Sequence, residues 1–221
     1  RRGRRGATSS FAHAAIAVPV HLYIDTASPE EIRAADRLGV VDGVTTNPSV
    51  VAGTDRTYEQ VVRTAAGIVD GPVFAQVLAE DADGMVREGV GYQGWADQVM
   101  VKLPATRPGF ESLRRLRDRG VPAGITVVFS LEQAVLAAKN DAAFVAPYVG
   151  RSNDAGSDGV ATARRIQSTF DAQGFGTEVL AASIRNTTQA TALYEAGIDA
   201  LTMSPAVLSA HIDHPETRAG V

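Results

Sequence analysis

Lys102 sits inside an apolar run, Val99-Met100-Val101-Lys102-Leu103-Pro104. An ammonium is costly to bury, so a lysine walled by valine, methionine and leucine has its pKa pushed down toward the neutral amine. A neutral amine attacks a ketone and passes through a carbinolamine to an iminium. The iminium withdraws electrons from the neighbouring carbon, which makes carbon–carbon cleavage feasible. Such chemistry needs a second group that carries protons through the carbinolamine and to a sugar hydroxyl. Asp25, closing Leu22-Tyr23-Ile24-Asp25, is a carboxylate for that work. Gln76, Thr126 and Tyr148 are hydrogen-bond partners or water holders, and Arg151 and Arg185 are planar, permanently charged forks suited to a phosphate.

These residues share a setting. Asp25, Asn47, Gln76, Lys102, Thr126, Tyr148 with Arg151, Ser183 with Arg185, and Ser204 all fall at or just past the carboxyl end of a short apolar run. The runs are His21–Asp25, Gly43–Thr46, Val73–Leu78, Gln98–Leu103, Ala123–Val127, Phe144–Val149, Glu178–Ser183 and Ala200–Met203. They read as strands covered on both faces. Between them lie helical patterns such as Pro29–Leu38, Thr57–Val69, Phe110–Arg119, Ser130–Ala138 and Gly159–Ala172. Ser28-Pro29-Glu30-Glu31, Thr57…Gln60 and Ser130…Gln133 read as capping boxes. Gly39, Gly120, Gly174 and Gly197 stand where helices should stop. Alternation of this kind predicts a single (β/α)₈ barrel over residues 20–221, with a doubly wound sheet as the competitor. In a barrel the strand ends converge on one mouth, where such enzymes keep their chemistry. Loop polarity accounts for any one polar tip, but poorly for a lysine embedded in valines.

Composition narrows the classes. The chain has 221 residues, 45% of them hydrophobic, which suits one domain with a sizeable core. A net charge of −4 without a basic face gives no reason to expect nucleic acid, and no apolar run is long enough to predict a membrane span. Cysteine is absent, which excludes disulfides, thiolate metal sites and a cysteine nucleophile. His13, His21, His211 and His214 avoid the strand tips, so neither a metal nor any other cofactor is expected. Arg1-Arg2-Gly3-Arg4-Arg5 opens a segment, residues 1–19, that reads as a disordered cationic tail. A twin-arginine export signal fits it less well, because the apolar stretch Phe11–Val20 runs straight into the first strand with no cleavage region. A cytoplasmic protein is the expectation. Gly89-Val90-Gly91-Tyr92-Gln93-Gly94 matches a dinucleotide fingerprint, but it reads as following a helix and preceding a strand, the reverse of the required order. Asn186-Thr187-Thr188, a formal glycosylation acceptor, carries no weight in a cytoplasmic chain.

The sequence resembles the transaldolase and fructose-6-phosphate aldolase family, small-subunit branch. The resemblance rests on Leu22-Tyr23-Ile24-Asp25-Thr26, Val44-Thr45-Thr46-Asn47-Pro48-Ser49, Phe74-Ala75-Gln76-Val77, Val101-Lys102-Leu103-Pro104, Ala146-Pro147-Tyr148-Val149-Gly150-Arg151 and Ala181-Ala182-Ser183-Ile184-Arg185-Asn186, and runs in order from Leu22 to Pro215. It implies a (β/α)₈ barrel with the Schiff-base lysine, Lys102, on the fourth strand. It places the family's aspartate at Asp25, its substrate-binding asparagine at Asn47 with Thr46 beside it, and its water-holding hydroxyl at Thr126. The phosphate positions fall on Arg151, Ser183 and Arg185.

The resemblance also bears on the reaction. Transaldolases of the family carry glutamate where this chain has Gln76 and phenylalanine where it has Tyr148; the aldolases carry glutamine and tyrosine. Val127-Val128-Phe129-Ser130 and Gly150-Arg151 are more similar to the small transaldolases, and Ile184 replaces a more usual phenylalanine. The expectation is a class I aldolase acting on ketose phosphates, with a transaldolase as the alternative. A more distant alternative is a sugar-phosphate isomerase or binder that uses Lys102 only as a charge. Family members carry a further C-terminal helix that packs on a neighbour in a ring. This chain stops soon after His214-Pro215, so a homo-oligomer is expected without that means of ring assembly.

Overall fold

The computed structural model describes residues 20–221; the expectations for the N-terminal tail and its export signal lie outside them. Eight parallel strands close into a barrel in sequence order. They are β1 (His21–Asp25), β2 (Gly43–Thr45), β3 (Val73–Gln76), β4 (Val99–Pro104), β5 (Ala123–Val128), β6 (Phe144–Pro147), β7 (Glu178–Ile184) and β8 (Ala200–Met203), with β8 pairing back on β1. The helices that follow them are α1 (Pro29–Asp36), α2 (Pro48–Val51), α3 (Tyr58–Ala66), α4 (Ala82–Gln93), α5 (Arg107–Arg117), α6 (Leu131–Ala138), α7 (Val149–Asp154), α8 (Gly159–Gln173), α9 (Thr187–Glu195), α10 (Pro205–Ile212) and α11 (Pro215–Ala219). The barrel expected from the alternating pattern is the fold observed. No helix among the described residues is long and apolar enough to cross a membrane.

Local chemistry sets the helix starts. Thr57 and Gln60 form the full reciprocal capping box. The other two expected boxes are half-formed. Ser28 accepts from the Glu31 N–H while the Glu31 carboxylate turns back to Thr26, and Ser130 accepts from the Gln133 N–H while Gln133 Oε1 accepts from the Phe129 N–H. Gly39, Gly120, Gly174 and Gly197 all adopt φ near +70°, the left-handed stop that glycine takes without penalty. The glycine-rich stretch corrects the sequence reading: Gly89–Gln93 lies inside α4, and Gly94 caps that helix. A Cβ on Gly89 would fall 2.8 Å from Leu116 Cδ1, so glycine there lets α4 pack closely on α5.

Two cores hold the molecule. The outer one lies between sheet and helices and takes the outward residues of the strands, such as Val44, Val73, Val101 and Val179. The inner one plugs the barrel with Tyr23, Phe74, Phe144, Leu180 and small alanines. Tyr23 meets Phe74 edge-on at 4.9 Å, and Phe74 meets Phe144 at 5.0 Å. Gly124 makes the plug fit, since its Cβ would land 2.5 Å from the Phe144 ring. Because side chains alternate along a strand, the residue two places beyond each plug residue also points inward. Tyr23 leads to Asp25, Phe74 to Gln76, Met100 to Lys102, and Ala146 to Tyr148. The aromatic floor therefore aims the polar tips.

Candidate active site

Asp25, Thr45, Asn47, Lys102, Thr126, Ala146, Tyr148, Arg151, Leu180, Ala182, Ser183 and Thr202 line one cavity at the C-terminal mouth of the barrel. Its volume is about 100 Å³, room for several water molecules at about 10–15 Å³ of such volume each. A larger hollow of about 350 Å³ lies beside the barrel's N-terminal end, lined by His21, Gln167, Glu178 and Asp199. In β/α barrels that end serves stability and the opposite end chemistry, so the smaller cavity is the candidate.

Lys102 is only 5% exposed. Burial pushes its ammonium down to about 8, and the Asp25 carboxylate opposes that shift. Near neutral pH an appreciable fraction is then free amine, as nucleophilic attack requires. Asp25 Oδ1 accepts from Thr45 Oγ1 at 2.8 Å and from Asn47 Nδ2 at 3.4 Å. The Asn47 Oδ1 caps α2 through the Ser49 and Val50 N–H groups, so its amide orientation is fixed and its Nδ2 must face Asp25. Across the cavity Thr126 Oγ1 donates to the Tyr148 hydroxyl at 3.4 Å. Arg151 lies over the Tyr148 ring, 5.1 Å from its centre, a cation–π contact that holds the guanidinium at the rim.

Two irregularities shape this wall. The β5–β6 and β7–β8 ladders shift register at Ile125/Val128 and at Ala181/Ile184. Within those shifts Val127 (φ +59°) and Ser183 (φ +60°) adopt the left-handed region. Each position costs about 1–3 kcal/mol, and a bulge re-aims the side chains around it. Both flank β6, next to Thr126 and Arg151.

Not every expected residue lines the cavity. Thr46 faces outward. Its Oγ1 donates to the Phe74 carbonyl oxygen at 2.8 Å and lies 3.2 Å from the Tyr58 hydroxyl, between β2 and α3. Alternation puts Thr45 on the inside instead. Gln76, the register partner of Lys102, shares its side of the sheet but is not part of the cavity wall. The Tyr58 hydroxyl accepts from its N–H at 2.6 Å. Arg185 is paired with Asp154 and does not line the cavity either. Thr45 and Thr202, absent from the sequence expectations, stand 2.6 Å apart hydroxyl to hydroxyl beside Asp25. Alternation back from Asn47 was the available signal for Thr45. Of the histidines, His21 lies at the far end, 3.3 Å from Glu178, and His211 bonds the Val207 carbonyl oxygen.

A closed parallel barrel with a buried, pKa-depressed lysine and a carboxylate at its C-terminal mouth defines an enzyme of the class I aldolase and transaldolase type. The model of the Transaldolase/Fructose-6-phosphate aldolase family matches residues 22–221. A probable transaldolase of Hydrogenobaculum sp. (strain Y04AAS1) is 40% identical over 202 residues, covering 91% of this chain and 93% of its own. One of Pelotomaculum thermopropionicum is 42% identical over 200 residues, covering 90% and 93%. One of Methanococcus maripaludis is 40% identical over 199 residues, covering 90% and 93%. The chain belongs to the transaldolase/fructose-6-phosphate aldolase family.

Proposed function

We propose that the protein is a class I aldolase that cleaves or forms a carbon–carbon bond in a ketose phosphate through a Schiff base on Lys102, releasing free dihydroxyacetone. The observation that carries this reading is the Tyr148 hydroxyl, which stands on the Lys102 cavity within reach of Thr126. The Lys102 amine attacks the ketone carbon, and a proton relayed to the carbinolamine oxygen lets water leave and the iminium form. Asp25 takes the proton of the hydroxyl on the far side of the scissile bond. That bond then breaks, its electron pair passing to the iminium as an enamine while the aldehyde departs. A proton returns to the enamine carbon, and water, held by Tyr148 and Thr126, hydrolyses the iminium.

The second reading, transfer of the three-carbon unit to an aldose phosphate, is favoured by the description of the relatives as probable transaldolases. Initial rates from fructose 6-phosphate, with and without erythrose 4-phosphate, separate the two. The expected result is release of dihydroxyacetone without acceptor, lowered in a Gln76→Glu, Tyr148→Phe double variant that gains transfer. Turnover of the wild type only in the presence of acceptor overturns the aldolase reading. Mass spectrometry after borohydride treatment with the ketose phosphate tests the covalent step; an isomerase or a binder leaves no three-carbon adduct on Lys102.

Arg151 is the arginine expected to meet the substrate phosphate, because its guanidinium reaches the cavity wall. Arg151→Ala is expected to raise KM for fructose 6-phosphate by about 10- to 100-fold, the loss of a charge-assisted fork. Its effect on dihydroxyacetone with unphosphorylated glyceraldehyde should be small. Equal losses with both substrates would assign Arg151 to another task.

A further inference from the structure

Arg185 is occupied. Its Nη1 and Nη2 meet Asp154 Oδ1 and Oδ2 at 3.1 and 2.5 Å, a two-pronged pair that spans 31 residues from the end of β7 to the end of α7. The stem of Arg185 runs across the first turn of α7. That crossing exists only because residue 150 is glycine, whose Cβ would fall 2.4 Å from the Ser183 carbonyl oxygen and 2.7 Å from Arg185 Nε. The backbone is fixed as well, with the Arg185 N–H donating to Gln189 Oε1 at 2.8 Å. Asp154 stands three residues after Arg151, hence on the same face of α7. The Tyr148 ring draws Arg151 toward the cavity, which leaves Asp154 to Arg185. Arg151 lines the cavity, while Arg185 stands just outside it beside Ser183, and there the Asp154 carboxylate occupies the fork that a phosphate would use.

We propose that Asp154 is a specificity-determining residue: it holds Arg185 in place of the substrate phosphate and must give way before a phosphorylated substrate gains its second arginine. The inference rests on the reading of this mouth as a sugar-phosphate site and names the group that tunes it. With Asp154 in place the rim offers a net charge of about one, which tolerates unphosphorylated substrates and weakens the hold on a dianion. The side chains of Arg185 and Asp154 are 51% and 57% exposed, so the pair is soft enough to exchange and its influence fades with salt.

Asp154→Asn is expected to lower KM for fructose 6-phosphate about three- to tenfold, the range of a half-exposed ion pair. The dissociation constant of inorganic phosphate, measured by calorimetry on the free enzyme, should fall with it. Both gains should shrink in high salt and vanish when Arg185→Ala is combined with Asp154→Asn. The ratio of KM for fructose 6-phosphate to KM for dihydroxyacetone should move, which a merely structural loss would not produce. Weaker phosphate binding in Asp154→Asn, or an unchanged gain in the Arg185→Ala background, overturns the proposal; the first outcome would make Asp154 the residue that aims Arg185 at the phosphate. The phosphate titration needs no turnover, so it stands apart from the Schiff-base reading, whose failure appears as a missing Lys102 adduct in the wild type.

Discussion

Replacing Lys102 by methionine is expected to abolish turnover and to make the protein more stable. Loss of a covalent nucleophile costs more than about 10³-fold in rate, and the Lys102→Met chain keeps the length and bulk of the side chain. The stability gain follows from linkage. Burial lowers the Lys102 ammonium from 10.5 to about 8, so folding works against the charged form. Well below pH 8 both folded and unfolded states are protonated, and the whole penalty, about 3 kcal/mol, is present; at pH 7 nearly all of it remains. Between about pH 8 and 10.5 the unfolded state binds more protons than the folded one, so wild-type stability rises and the penalty fades. Methionine removes the penalty at every pH. At pH 7 the variant should therefore melt about 5–10 °C higher for a domain of this size, and by pH 10 the two curves should nearly coincide. Thermal melts at the two pH values check this. A Tm difference independent of pH, or a variant less stable than wild type at pH 7, would show that Lys102 is not desolvated in solution. Turnover within a thousandfold of wild type would remove the Schiff base from the mechanism.

That penalty also explains why Lys102 stood out in the sequence. A charged residue among Val99, Val101 and Leu103 contradicts the apolar pattern of a covered strand, and such contradictions concentrate at functional sites. The barrel was legible for a related reason, because apolar runs, helix caps and stop glycines repeat in phase along the chain. The choice between Thr45 and Thr46 was legible in principle and is decided by alternation back from Asn47. Other features were not. The register shifts at β5 and β7 place Val127 and Ser183 in backbone conformations their side chains disfavour, so local propensity argues against what tertiary packing imposes. Helix α4 carries Gly84, Gly89 and Gly91, and the reason for Gly89, the close approach of Leu116 from α5, is a tertiary contact that no local pattern encodes. The pairing of Arg185 with Asp154 joins residues 31 apart; the sequence marks Arg185 as a phosphate fork and gives no sign of the carboxylate that occupies it.

Asp25→Asn is the substitution expected to separate the two halves of the chemistry. Asp25 Oδ1 already accepts from Thr45 and Asn47, and an amide carbonyl can accept both bonds unchanged. Only the second oxygen becomes an NH₂ group, so the fold should survive. The proton acceptor does not. Carbon–carbon cleavage is expected to fall about 10²- to 10⁴-fold, the usual contribution of a positioned general base. The amine should respond in the opposite sense. The Asp25 charge raises the Lys102 pKa against the effect of burial, so neutralising it lets the amine titrate at a still lower pH. The pH at which Lys102 becomes half-reactive toward an amine-modifying reagent, followed by mass spectrometry, should shift to the acid side of about 8 while cleavage is nearly lost. A shift to higher pH would mean that Asp25 does not face the ammonium. Retention of more than a tenth of wild-type cleavage would assign the proton transfer to another group of the cavity, such as the Tyr148 hydroxyl.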